Sequence, residues 1–163
     1  MAAPEASGNP VRVYLPLTPD DVRSLHSGEG VGGSGHAAYG VTALLRAAQP
    51  RADEEELEYA ALLAAAAHAG RLRGEAGWRR VVAAVDVAPE LVAAAAAGQV
   101  DPAATQGHSD DDGELARIAL TAPVTAREVR SLHADEELAG TDDRDLQWWD
   151  VTELDRLVEH LDT

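Results

Sequence analysis

Apolar and polar positions along the chain switch between a period of two and a period near 3.6, and these switches mark out the elements. Val11–Leu17 (VRVYLPL) alternates as a strand does, placing successive side chains on opposite faces. Thr18, Pro19, Asp20 and Asp21 follow and read as a helix start. A threonine there accepts from an early helical amide, proline suits the first position, and the acids meet the positive end of the dipole. Leu17 and Val22 bracket the cap as a hydrophobic staple.

The same device recurs at Val124–Val129, now with a Thr125-x-x-Glu128 capping box. The pentapeptide Val22–His26 (VRSLH) returns unchanged as Val129–His133, at an offset of 107. Residues 11–26 and 118–133 therefore read as two copies of one strand–cap–helix unit. Thr18→Ala and Thr125→Ala are expected to destabilise alike.

Two further segments share this grammar. Arg79–Val87 (RRVVAAVDV) is a β-branched run of strand length, followed by Ala88-Pro89-Glu90 and an alanine-rich helix to about Ala97. Leu146–Val151 (LQWWDV) is an aromatic strand, followed by a helix from Thr152 to about Leu161. A short helix opens at Val41-Thr42 and ends at Ala48, and the longest helix spans Asp53–Arg73. The latter has acids at its start, Arg71 and Arg73 at its end, and a stripe of Leu57, Ala60, Ala61, Ala64, Ala67 and Gly70.

Strands alternating with helices predict an α/β fold: a single domain over 11–163, with a four- to five-stranded, mostly parallel sheet flanked by helices. The alternative is an α+β ferredoxin-like sandwich, which two related halves also suit. Residues 1–10 read as a disordered lead. Ser27–Gly35, Gly74–Gly77 and an acidic stretch over about 98–113 read as linkers.

Composition narrows the function classes. The chain has 163 residues, no cysteine and no lysine; its 13 basic residues are all arginine. Thiolate chemistry, disulfides and Schiff-base lysines are excluded. A net charge of −16, of which residues 101–163 carry −12 (17 acids, five arginines), argues against nucleic acid and against anionic membranes. An acidic half of this kind is a solvated surface or a dock for a basic partner. Without a signal-like start or an 18-residue apolar run, the chain reads as soluble and cytoplasmic.

Several stretches together carry a resemblance: Arg12-Val13-Tyr14-Leu15-Pro16, Tyr39 with Val41-Thr42, Glu55–Leu62 (EELEYAAL), Arg80-Val81-Val82 leading to Asp86-Val87, and Leu146 with Trp148-Trp149, Glu153 and Leu154. In their order and spacing over residues 11–154 the chain resembles an uncharacterised family of small proteins from GC-rich Gram-positive (actinobacterial) genomes, classed as a domain of unknown function. That family ends its last strand Leu-Leu-Trp-Tyr, where this chain has Leu146-Gln147-Trp148-Trp149. The resemblance implies no activity.

Candidate chemistry is sparse. Gly28-Glu29-Gly30-Val31-Gly32-Gly33 spells G-x-G-x-x-G, but it follows a helix and precedes a loop, the reverse of a dinucleotide site. The six histidines show no metal-binding spacing, and His26 and His133 read as helix-end cations. No cofactor and no metal site is assigned. Asp110–Asp112 reads as solvated coil. Asp86 and Asp150 each precede a valine at the predicted end of a strand, the edge where open α/β sheets bind ligands. A carboxylate pair there could hold a cation or act as acid and base, whereas a lone aspartate at that place caps the next helix.

Glu58 and Tyr59 join Asp86 as best-guess catalytic residues, with Glu55 sharing a helical face with Tyr59. Two function classes follow. The favoured one is a non-catalytic interaction or regulatory protein with a protein or small-molecule partner, and homo-oligomerisation is compatible with it. The alternative is a small-molecule or metal-assisted enzyme using carboxylates at the sheet edge. A concave pocket joining Asp86 to Tyr14, Glu58 or Tyr59 favours the enzyme. A flat exposed patch around Trp149, one of two tryptophans pointing to opposite faces, favours the binder.

Overall fold

Seven strands in the order β5-β6-β3-β1-β4-β8-β9 form one sheet in which every neighbouring pair runs antiparallel. The structure, a computed structural model, describes residues 8–33, 36–73, 78–94, 111–136 and 146–161. The strands of this sheet are β1 (Val11–Leu17), β3 (Ala38–Gly40), β4 (Val81–Val87), β5 (Val92–Ala94), β6 (Arg117–Leu120), β8 (Val129–Ala134) and β9 (Gln147–Asp150). A second, two-stranded antiparallel sheet joins β2 (Val31–Gly32) to β7 (Pro123–Val124). The helices are α1 (Pro19–His26), α2 (Ala43–Ala48), α3 (Glu54–Arg73), α4 (Asp111–Leu115) and α5 (Leu154–His160).

The parallel sheet expected from the alternation of elements is therefore overturned, and the ferredoxin-like alternative with it: the main sheet has seven strands and helices on both faces. After α1 the chain enters β2 of the second sheet before β3 returns beside β1, antiparallel to it.

Strand alternation divides the interior into two cores. Val13, Leu15 and Leu17 of β1, with Val81, Ala83 and Val85 of β4, pack against Val22 and Leu25 of α1 and Leu154 and Leu157 of α5. On the other face Tyr14, Tyr39, Val82 and Ala84 meet Leu45 of α2 and a small-residue stripe of α3, where Leu57, Ala61, Ala64, Ala65 and Ala69 are buried. Of the stripe read from sequence, Ala60, Ala67 and Gly70 are only half-buried. Alanines let α3 lie close over β3, β1 and β4.

Local signals are well obeyed at several helix starts. Thr18 caps α1 in a full capping box, its hydroxyl accepting from the Asp21 amide at 3.2 Å while the Asp21 carboxylate accepts from the Thr18 amide at 2.9 Å. Thr42 accepts from the Leu45 amide at the head of α2. Asp53 and Glu56 exchange the same reciprocal bonds at the head of α3.

The second copy of the repeat does not fold like the first. Val22–His26 is helical, whereas the identical Val129–His133 lies in β8. The Glu128 carboxylate still accepts from the Thr125 amide at 2.8 Å, but the Thr125 hydroxyl donates to that carboxylate and the Glu128 amide bonds the Thr125 carbonyl, closing a turn that leads into a strand. His133 is accordingly a strand residue and not a helix-end cation. Over the described part of the helix expected from Pro89 to about Ala97, a 3-10 turn at Pro89–Leu91 leads instead into β5, and residues 95–97 lie outside the described residues.

The expected linker over Ser27–Gly35 contains β2, and residues 111–113 of the expected acidic linker are helical in α4, so Asp111 and Asp112 do not lie in coil. Residues 1–7, 34–35, 74–77 and 95–110 lie outside the described residues, as do most of the predicted lead and the greater part of that acidic stretch.

Candidate functional site

Antiparallel pairing of β1 with β4 sets Arg12 directly opposite Asp86, with both side chains on the α3 side of the sheet. The Arg12 guanidinium donates from Nε to Asp86 Oδ1 at 2.5 Å and from Nη2 to Oδ2 at 3.4 Å. From β8, Arg130 donates its Nε to Asp86 Oδ2 at 3.2 Å. These hydrogen bonds, Arg12 foremost, hold the Asp86 carboxyl below its usual range.

Glu58 on α3 faces the same group, since its charge acts on both Arg12 and Tyr14. Burial, reinforced by Glu58, pushes the Tyr14 phenol up. Asp86, Glu58, Tyr14 and Arg12 are thus brought together. Tyr59, the next residue along α3, is half exposed. Asp150 takes the simple role of a cap, accepting from the Thr152 amide at 2.9 Å while Glu153 accepts from the Asp150 amide at 3.1 Å.

Beyond Asp86 the same face runs onto β8 and β9. His133 pairs in register with Trp148, and Ser131 with Asp150. The His133 Nε2 lies 3.2 Å from the Ser131 hydroxyl, and burial followed by the nearby Arg12 charge pushes its imidazole down. Trp149 packs into the α1–α5 core, so by strand alternation Trp148 points to the α3 side, where it is 59% exposed. The exposed member of the tryptophan pair is therefore Trp148, and Trp149 is the one that packs on a core.

No three His, Asp or Glu side chains among the described residues converge as a metal-ligand set. A shallow open depression lined by Gln49, Pro50, Arg51, Ala52 and Glu56 contains none of the predicted site residues. The glycine-rich loop is structural: Gly32 and Gly33 adopt φ of +91° and +88°, and a Cβ on Gly30 would stand 2.9 Å from Pro123 Cβ.

Sequence reading missed two polar groups. Arg80 and Asp135, both buried, pair at the end of β4 and β8, with Arg80 Nη2 at 2.8 Å from Asp135 Oδ1 and the Arg80 amide at 2.9 Å from Oδ2. Tyr39, His68 and Arg117 form a second group across β3, α3 and β6. The only signal for either was an arginine beside an apolar strand.

Sheet and site define a small acidic α/β protein with an antiparallel sheet, carrying an arginine-clamped carboxylate and, on the same face, an exposed tryptophan. Over residues 11–158 the chain matches the family of unknown function DUF6912, and it belongs to that family. No curated protein and no solved structure matches it. No helix among the described residues is long and apolar enough to cross a membrane.

Proposed function

We propose that this is a non-catalytic interaction protein of the cytoplasm that docks a basic polypeptide on the α3-side face of β8 and β9. The exposed Trp148 carries the proposal. A large aromatic on a strand, left mostly in water while its neighbour packs on a core, suits a contact anchor. A net charge of −16 supports a basic occupant by long-range attraction and disfavours a second copy of the chain. The absence of cysteine and lysine removes thiolate and Schiff-base chemistry from the alternatives. Asp86 fits the reading too: ionised and clamped by two arginines, it shapes the rim and is poorly placed to trade protons near neutrality.

The convergence of Asp86, Glu58 and Tyr14 supports one other reading, a carboxylate enzyme. Selection of a displayed random-peptide library on the full chain separates the two, run beside a thermal-shift screen of metals and nucleotides. The interaction reading expects peptides of net positive charge whose binding falls with salt and is lost in Trp148→Ala. Failure to enrich such peptides counts against it. Stabilisation by a metal or nucleotide of more than about 2–3 kcal/mol at saturation turns the assignment to the enzyme.

A further inference from the structure

In a chain with more than twice as many acids as bases, most arginines of the described residues sit against a carboxylate. Arg71 and Arg117 do not: among the described residues neither has an acidic partner, and both turn instead to one buried phenol. Tyr39 on β3 is 2% exposed. Its hydroxyl lies 2.8 Å from His68 Nδ1 on α3 and 3.4 Å from Arg117 Nη1 on β6. The β3–β6 register sets Arg117 opposite Tyr39, and its guanidinium carbon stands 5.5 Å from the ring centroid. Arg71, three residues beyond His68 on α3, acts on the same phenol.

Each part has a separate job. Tyr39 and His68 pack edge to face, with ring centroids 5.8 Å apart, and fix the floor. Stacking on Tyr39 holds Arg117 in one orientation and leaves guanidinium N–H groups without a carboxylate. Arg71 is exposed and Arg117 half-buried, so the cationic side opens to solvent. Two guanidinium groups acting on one phenol and, among the described residues, without a carboxylate match the oxygens of a phosphate or carboxylate. A polyanion is a poor occupant, because the rest of the molecule repels it.

We propose that Arg71 and Arg117, positioned by Tyr39 and His68, bind a small oxyanion: the phosphate or carboxylate group of a small molecule. The site lies on the β3–β6 side of β1, away from Trp148 on the β8–β9 side, and is independent of the peptide-docking proposal.

NMR titration of the full chain with inorganic phosphate, and separately with citrate, at constant ionic strength and neutral pH tests this. The expected result is a saturable shift of the Arg71 and Arg117 Nε–H signals and of the Tyr39 amide. Arg71→Gln and Arg117→Gln should each weaken binding at least about tenfold, whereas Arg156→Gln, on α5, should leave it unchanged. Saturation by phosphate alone or by citrate alone supports the site and names its ligand chemistry. Arg71 is exposed, so Arg71→Gln keeps the fold and remains informative if Arg117→Gln does not. Absence of a saturable shift at millimolar concentrations of either anion overturns the proposal. Equal weakening by Arg156→Gln does so as well.

Discussion

Val129 and Leu132 bury their side chains in the same core although they lie three positions apart on one strand. A regular strand would send them to opposite faces. The pairing of β4 with β8 shifts between Ala84 and Val85: Ala84 opposes Ser131, Val85 opposes Val129, and Arg130 is left over. That β-bulge restores both apolar residues to one side and turns Arg130 towards Asp86.

Removing the bulged residue should therefore be milder than removing a regular one. Deletion of Arg130 leaves Val129 two positions before Leu132, in phase with an ordinary strand. Its cost should stay within about 1–2 kcal/mol, whereas deletion of His133 puts Leu132 and Ala134 on opposite faces and should cost more than about 4 kcal/mol. Urea denaturation of both deletions checks the order. Equal costs would count against the bulge.

The bulge also explains why the repeated pentapeptide could not be read correctly. Apolar residues at i and i+3 fit a helical face, as Val22 and Leu25 show in α1, and fit a bulged strand equally well. Long-range pairing made the choice, since β8 fills the place beside β4. The strands β1 and β4, the caps at Thr18 and Thr42, and helix α3 were legible because their signals are local. Strand direction was not, and neither was β3, whose Ala-Tyr-Gly carries almost no strand signal of its own. The site followed the same rule. Asp86 stood out beside a strand end, but Arg12 and Arg130 reach it only through the antiparallel register, 74 and 44 residues away.

The two threonines should now differ. Thr18→Ala removes a helix cap and should cost about 1 kcal/mol. Thr125 closes only a turn, and its contact with the Arg127 amide is long at 3.4 Å, so Thr125→Ala should cost about half as much. Chemical denaturation of the two variants compares them directly.

The buried pair of Arg80 and Asp135 should be costly to break and cheaper to replace. Arg80→Met leaves the buried Asp135 carboxylate with its longer bond to Arg73 at 3.3 Å and should destabilise by about 3 kcal/mol. The double variant Arg80→Met, Asp135→Leu should recover part of that loss. A double-mutant cycle measures the coupling, and simple additivity would contradict it.

Half-buried His36 stands 3.5 Å from Asp21, and the pair ties the head of α1 to the loop before β3. Burial, the largest single influence, would depress the imidazole, but the hydrogen bond to Asp21, the bond to the Ala37 carbonyl and the Asp21 charge together outweigh it and the pKa is raised. Burial likewise opposes the Asp21 charge, and its bonds to His36 and Thr18 outweigh that, so its pKa is lowered. A raised histidine pKa gives stability that is complete below about pH 6.5 and lost as pH climbs through the folded value. A lowered carboxyl pKa gives stability that is complete above about pH 4 and lost as pH falls through its folded value. The stability difference between the native chain and Asp21→Asn should peak between these limits, and the variant should lower the His36 pKa by NMR. A pH-independent difference would contradict the pairing.

The most direct test of the interaction face is the affinity of one selected basic peptide, measured by calorimetry for the native chain, Trp148→Ala and Asp86→Asn at two salt concentrations. Trp148→Ala should weaken binding by about 2 kcal/mol or more, Asp86→Asn should change it little, and added salt should weaken all three. If Trp148→Ala leaves affinity intact while Asp86→Asn abolishes it, the face around Trp148 is not where the partner binds.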